Sequence, residues 1–119
     1  MRKLILAAAA VAMVVGPVGS VLAGAVGGPK TDRTRVQARD TNRYTVSFRG
    51  GETARIDLQG DGDTDLDIFV YDEFGNLVAS RTGGTDRESV SWTPRFTGPF
   101  TIRVVNLGTV WNEYRIITN

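Results

Sequence analysis

The chain contains no cysteine and no histidine in 119 residues. That excludes disulfides, thiol nucleophiles, Ser-His-Asp and Cys-His relays, and zinc sites built from imidazole or thiolate. Any metal binding or proton transfer falls to oxygen donors. Net charge is also slight, a formal +1, because 14 Lys and Arg stand against 13 Asp and Glu. This balance excludes a polybasic or acidic tail, and no nucleic acid partner is expected. With 41% hydrophobic residues, the length supports one compact domain at most.

What is present begins with an export address. Arg2 and Lys3 precede an apolar run from Leu4 to Val15. Gly16 and Pro17 break the run, and Ala23-Gly24-Ala25 offers the small residues that a signal peptidase accepts. Residues 1–25 therefore read as a signal peptide cut after Ala25, and a secreted or periplasmic location is expected. The competing reading is an uncleaved anchor, because no charge interrupts Leu4 to Pro29; it would be the chain's only contact with a membrane. Six glycines and prolines between Gly16 and Gly28 weaken a spanning helix, and the absence of cysteine excludes lipid attachment to a lipobox thiol. Residues 26–42 show no apolar period and read as a linker or loosely held arm, which leaves 43–119 for the folded domain.

From Tyr44 onward the apolar residues recur with period two, bounded by Gly, Asn, Asp or Pro. The inward sets are Tyr44, Val46, Phe48; Ala54, Ile56, Leu58; Leu66, Ile68, Val70; Leu77, Ala79; Val90, Trp92; Phe100, Ile102, Val104; and Tyr114, Ile116. Short strands with one apolar face each need a second sheet to cover them. The pattern predicts an all-β, antiparallel, jelly-roll-like sandwich of about seven to eight strands, with no helix. Gly75-Asn76 marks a tight hairpin.

The opposite parity turns Arg55, Asp57, Arg103 and Arg115 to solvent, where ion pairs contribute little. It also turns Phe69 and Tyr71 outward, and Trp111 falls in a turn. These three aromatics are candidate partner-binding residues, with the alternative that they cap the edge of the sandwich.

Charge is unevenly distributed. From Lys30 to Arg55 seven basic residues accompany three acidic ones, whereas Asp57, Asp61, Asp63, Asp65, Asp67, Asp72 and Glu73 follow with no base before Arg81. Asp61, Asp63, Asp65 and Asp67 stand at alternate positions through a turn into a strand. Oxygen-rich spacing of this kind suits a hard cation, so the four are candidate calcium ligands. A bound ion would relieve their repulsion and stabilise the native state by binding it alone. The other reading is that they form turns by accepting hydrogen bonds from their own backbone. An EF-hand is rejected, because Leu66 stands where the loop needs Gly, Asp72 closes the twelve in place of Glu, and no flanking helix is seen. Glycosidase chemistry on an acidic pair is set aside, since so small a domain has little room for a substrate cleft.

Several segments in order resemble a known family. They are Gly50-Gly51-Glu52-Thr53-Ala54-Arg55-Ile56-Asp57-Leu58, Asp63-Thr64-Asp65-Leu66-Asp67-Ile68-Phe69-Val70-Tyr71-Asp72, Gly75-Asn76-Leu77-Val78-Ala79, Trp92-Thr93-Pro94, Thr97-Gly98-Pro99-Phe100-Thr101-Ile102-Arg103-Val104, and Asn112-Glu113-Tyr114-Arg115-Ile116. Their order and spacing over 44–118 resemble the bacterial pre-peptidase C-terminal (PPC) domain, which is similar to the collagen-binding domains of collagenases. The resemblance implies a jelly-roll-like module without catalysis of its own, appended to exported enzymes and associated with binding, export or maturation, and in some relatives with calcium. It carries calcium ligation over to Asp63, Asp65 and Asp67 only. This chain is expected to depart from the pattern in carrying no attached enzyme, and it places Phe100 where the family often has Tyr.

The expectation is a secreted, non-catalytic binding module for an extracellular protein or polysaccharide, with calcium as the one cofactor considered. The alternative is an inhibitor or folding helper of a separate exported hydrolase, docking through an edge strand.

Overall fold

The computed structural model describes residues 24–119. The expected signal peptide lies outside the described residues, apart from its last two positions. Eight strands follow one another: β1 (Lys30–Val36), β2 (Thr41–Phe48), β3 (Ala54–Gln59), β4 (Leu66–Tyr71), β5 (Leu77–Arg81), β6 (Arg87–Trp92), β7 (Gly98–Asn106) and β8 (Asn112–Thr118). They form two four-stranded antiparallel sheets, β1-β8-β3-β6 and β2-β7-β4-β5. The chain changes sheet at every connection except the β4–β5 hairpin, as a jelly roll does. No described residue is helical.

The period-two sets meet between the sheets. Val46, Phe48, Leu66, Ile68, Val70, Ile102 and Val104 face Ala54, Ile56, Leu58, Val90 and Ile116, all buried. Each strand has one apolar face, and stacking the two sheets removes both faces from water at once. At one place the layers also touch through polar atoms. Tyr44 on β2 and Tyr114 on β8 bring their hydroxyls within 2.7 Å of one another. Asn42 Nδ2 donates to the Tyr114 hydroxyl at 2.9 Å, and the Tyr44 hydroxyl donates to Asp32 at 3.1 Å. Burial and these neighbours push the Tyr44 phenol far above its ordinary range. A buried hydroxyl without a partner is costly, so this chain of bonds fixes the stagger of the sheets.

Two expectations are corrected, and the structure adds an observation beside a third. Residues 26–42 are not a linker: they contain β1 and the start of β2, with β1 paired along its whole length to β8. As an edge strand β1 covers little core, and only Val36 is fully buried while Lys30, Asp32 and Thr34 are half-buried. Its period of two is therefore written in polar residues. Second, Ala25, the last residue of the expected signal peptide, is completely buried and bridges to Phe48. Third, Leu77 does not face inward and is 53% exposed. A register shift between Val70 and Tyr71 inserts one extra residue in β5, so Val78 takes the inward place and packs on the core.

Candidate functional site

The strands run between two dissimilar ends. At the first end β4 and β6 begin and the acidic segment gathers. Asp61 caps its own turn, with Oδ1 accepting from Asp63 N at 3.0 Å and Oδ2 from Glu113 N at 3.0 Å. Asp63 is exposed. Asp86, buried in the β5–β6 connection, accepts from Gly62 N and from Asn112 Nδ2. Asn112 in turn donates to Thr64.

Asp65 and Asp67 differ from these turn-forming residues. Asp65 Oδ1, Asp67 Oδ1 and Glu88 Oε2 are buried and accept no hydrogen bond. Burial raises the Asp67 carboxyl above its usual range, and the charges of Asp65 and Glu88 raise it further. Glu88 is raised by burial, which outweighs the nearby Arg81, 3.6 Å away. The structure thus separates the four spaced aspartates: Asp61 serves its turn, Asp63 faces water, and Asp65 and Asp67 share their field with Glu88. Glu88 comes from the other sheet and was missed, because its parity within β6 gives it an inward position that sequence patterning reserves for apolar side chains. Among the described residues, no group of three or more acidic side chains is already converged on a metal position.

The proposed aromatic partners do not form one surface. Phe69 and Tyr71 lie half-buried on the outer face of β4, with the Arg103 guanidinium 5.9 Å from the Tyr71 ring. Trp111 is 41% exposed beneath the Arg35 guanidinium, which lies 4.0 Å from the ring centre. None of the three lines the main groove.

That groove occupies the second end, where β4 and β6 finish and β7 begins. It has a volume of about 640 Å³ and lies between the β4–β5 turn and the β6–β7 connection, with Val78 of β5 and Trp92 of β6 lining it from the edge strands of opposite sheets. Val78 and Trp92 form its walls, Phe100 its floor, and two turns its rims. The rims carry Phe74 and Phe96, each 79% exposed. Trp92 packs edge-on against Phe48 at 4.9 Å and lies 5.4 Å from Phe100, yet its Nε1–H is buried and unpartnered.

Both rims are fixed by their own chemistry. Asp72 accepts from the backbone N–H groups of Phe74 and Asn76 and from the Asn76 amide, bonds that hold its carboxyl below the usual carboxylate range. With Gly75 at φ 87°, these bonds close the turn and push Phe74 outward. On the opposite rim, Gly51 N donates to Pro94 O and Gly50 N to Thr97 Oγ1. A Cβ at position 50 would lie 2.7 Å from the Phe96 backbone, so only glycine allows the approach.

Sequence patterning missed Phe74 and Phe96 because both fall outside the strand period. The available signal was an aromatic residue in a polar turn, Phe74-Gly75 and Phe96-Thr97-Gly98, with no apolar face beside it to join.

Comparison with solved structures bears on the fold. The pre-peptidase C-terminal domain of a Bacillus anthracis collagenase matches with TM-score 0.59 at 15% identity, over 75% of this chain and 87% of that one. The fold resembles a PPC domain. Aeromonas hydrophila PliG, a periplasmic inhibitor of g-type lysozyme, matches with TM-score 0.58 at 11% identity, over 76% and 84% of the two chains. CorA of Methylomicrobium album BG8, a surface-associated copper-binding protein, matches with TM-score 0.63 at 9% identity, over 75% and 92%. At such identities the PPC likeness is one of fold. By sequence, no protein-family model and no curated protein matches this chain.

Proposed function

We propose that this chain is an exported, non-catalytic binding module that takes up an extended polypeptide segment in the groove between β5 and β6. The observation that carries the reading is the pair of rim phenylalanines, Phe74 and Phe96, each 79% exposed across a groove floored by aromatic rings. Large aromatic side chains left in water around a concavity mark contact sites. A polypeptide is favoured over a polysaccharide because β5 is an edge strand and its Val78 lines the groove. Its Leu77-Val78-Ala79-Ser80 run carries neither charge nor proline, and the one charged residue of the strand, Arg81 at its end, is paired with Glu88. The Asp72 carboxylate, which a sugar would otherwise engage, is committed to its own turn. An inhibitor or folding helper of an exported hydrolase is the special case in which the bound segment belongs to that enzyme. Export follows from the basic, apolar and small-residue order of the leader. The absence of histidine and cysteine supports a role without catalysis.

Panning a displayed peptide library against the immobilised chain tests this. Peptides with apolar residues at alternate positions are expected, and the double variant Phe74→Ser, Phe96→Ser is expected to lose them by roughly 100-fold while keeping its melting temperature. Failure to select any peptide, or equal capture by the double variant, ends the polypeptide reading. Retention on insoluble polysaccharide that depends on the same two residues would replace it.

A second reading concerns the acidic end, where the unpartnered oxygens of Asp65, Asp67 and Glu88 support a calcium ion that would have to draw the three together, since they are not converged on one position. Calcium is then expected to raise the melting temperature by several degrees, on the order of what 1–3 kcal/mol does in a domain of this size. Identical melts with calcium and with chelator would remove it.

A further inference from the structure

We propose that the leader is removed at the Ala23–Gly24 bond, so that the mature chain begins at Gly24. The inference rests on the reading of the chain as exported. Two bonds compete, because Ala23 and Val21 present compact side chains at the last and third-last leader positions for one cut, and Ala25 and Ala23 do so for the other. The leader pattern alone reads most simply as the cut after Ala25, on the small-x-small order of Ala23-Gly24-Ala25. The fold favours the upstream bond, because Gly24 and Ala25 are part of it.

Ala25 is completely buried. Its N–H donates to Asn119 O at 2.8 Å, and its carbonyl accepts from Gly28 N at 3.0 Å. The Gly24 carbonyl accepts from Arg49 N at 3.0 Å, which extends the bridge between Ala25 and Phe48 by one more bond. Position 24 is also restricted to glycine, since φ is 94° and a Cβ would stand 2.3 Å from Asn119 O. A cut after Ala25 would discard a core methyl, leave Arg49 N–H and Asn119 O without these partners, and open a space beside Phe48. A cut after Ala23 keeps every one of these contacts. In the reaction, water adds across the Ala23–Gly24 amide. The acyl carbon of Ala23 gains the hydroxyl oxygen and leaves as a carboxylate, while the nitrogen of Gly24 takes up protons and becomes the new α-ammonium.

The test is intact mass and amino-terminal sequencing of the exported product made from the full chain. A product of residues 24–119 opening Gly-Ala-Val-Gly is expected, and one opening Val-Gly-Gly-Pro overturns the proposal while leaving export intact. An uncut chain found only inside the cell or at its membrane overturns both this proposal and the export reading. A second arm uses Ala25→Leu, which places bulk at the last leader position for the downstream cut only. Pulse-labelled precursor and product, read before folding matters, are expected to show an unchanged processed fraction. Accumulation of the precursor would overturn the proposal.

Discussion

At the end of the sandwich where β4 begins, carboxylates accept backbone N–H groups and tie several turns together. At the end where β4 finishes, one carboxylate and a close glycine contact hold two turns that lift phenyl rings into water. The same device, an aspartate closing a turn, therefore serves opposite purposes. In the first case it satisfies the polar ends of strands, and in the second it spends fold stability on exposing apolar surface. A single exposed ring is ordinary; two of them on either side of one groove are the feature on which the proposed binding role rests.

Five substitutions put that contrast to the test. The largest effect is expected at the middle of β4, which both ends share: Ile68→Asp buries an unpaired charge in a fully enclosed position and should leave no folded population by circular dichroism. If the chain stays folded, the assignment of inner and outer faces is wrong for both ends. Next is Gly50→Ala, whose added methyl meets the Phe96 backbone. A loss of about 1–3 kcal/mol in denaturant unfolding is expected, together with weaker peptide capture. A silent substitution would mean that the rim yields easily.

The two ends should also respond oppositely to acid. The Asp67 carboxyl is raised in the fold, so its penalty grows as pH rises from the unfolded value towards the folded one and is complete above both. In chelator, Asp67→Asn should therefore raise the melting temperature by a few degrees at pH 7, and the gain should fade near about pH 4. If Asp67 holds the proposed calcium, the same substitution should lower it when calcium is present, because a ligand is lost. Asp72 is depressed, so the stability it contributes is present above the unfolded value and disappears as pH falls through the folded one. Asp72→Ala should lower the melt slightly at pH 7 and match the parent in strong acid. Parallel pH profiles for the two variants would erase the distinction between the ends. Smallest of all, replacing an outward-facing side chain such as Arg115 by Ser should stay within about 0.5 kcal/mol.

Where a strand contributes to the core, its place was legible, because burial on one face leaves a period of two in the sequence. The sets on β2, β3, β4, β7 and β8 lie inside as that period requires. Legibility failed where burial does not write the code. The β1 strand is held by pairing with β8 and needs almost no apolar residue, so Thr31, Arg33 and Arg35 disguise it as a linker. The bulge beside Tyr71 exchanges the roles of Leu77 and Val78, a backbone event with no local side-chain signature. Carboxylates brought near one another across sheets are hidden for a related reason. Asp65 and Glu88 raise the Asp67 carboxyl because β4 and β6 approach from different layers, and no spacing along the chain reports that.

The contact of Gly50 with the backbone of Phe96 has a kinetic implication. A rim that is bolted to the neighbouring turn does not have to search for its bound shape, so encounter with a segment of the right form should be followed by capture without a slow rearrangement. Discrimination among partners would then reside in how long each one stays.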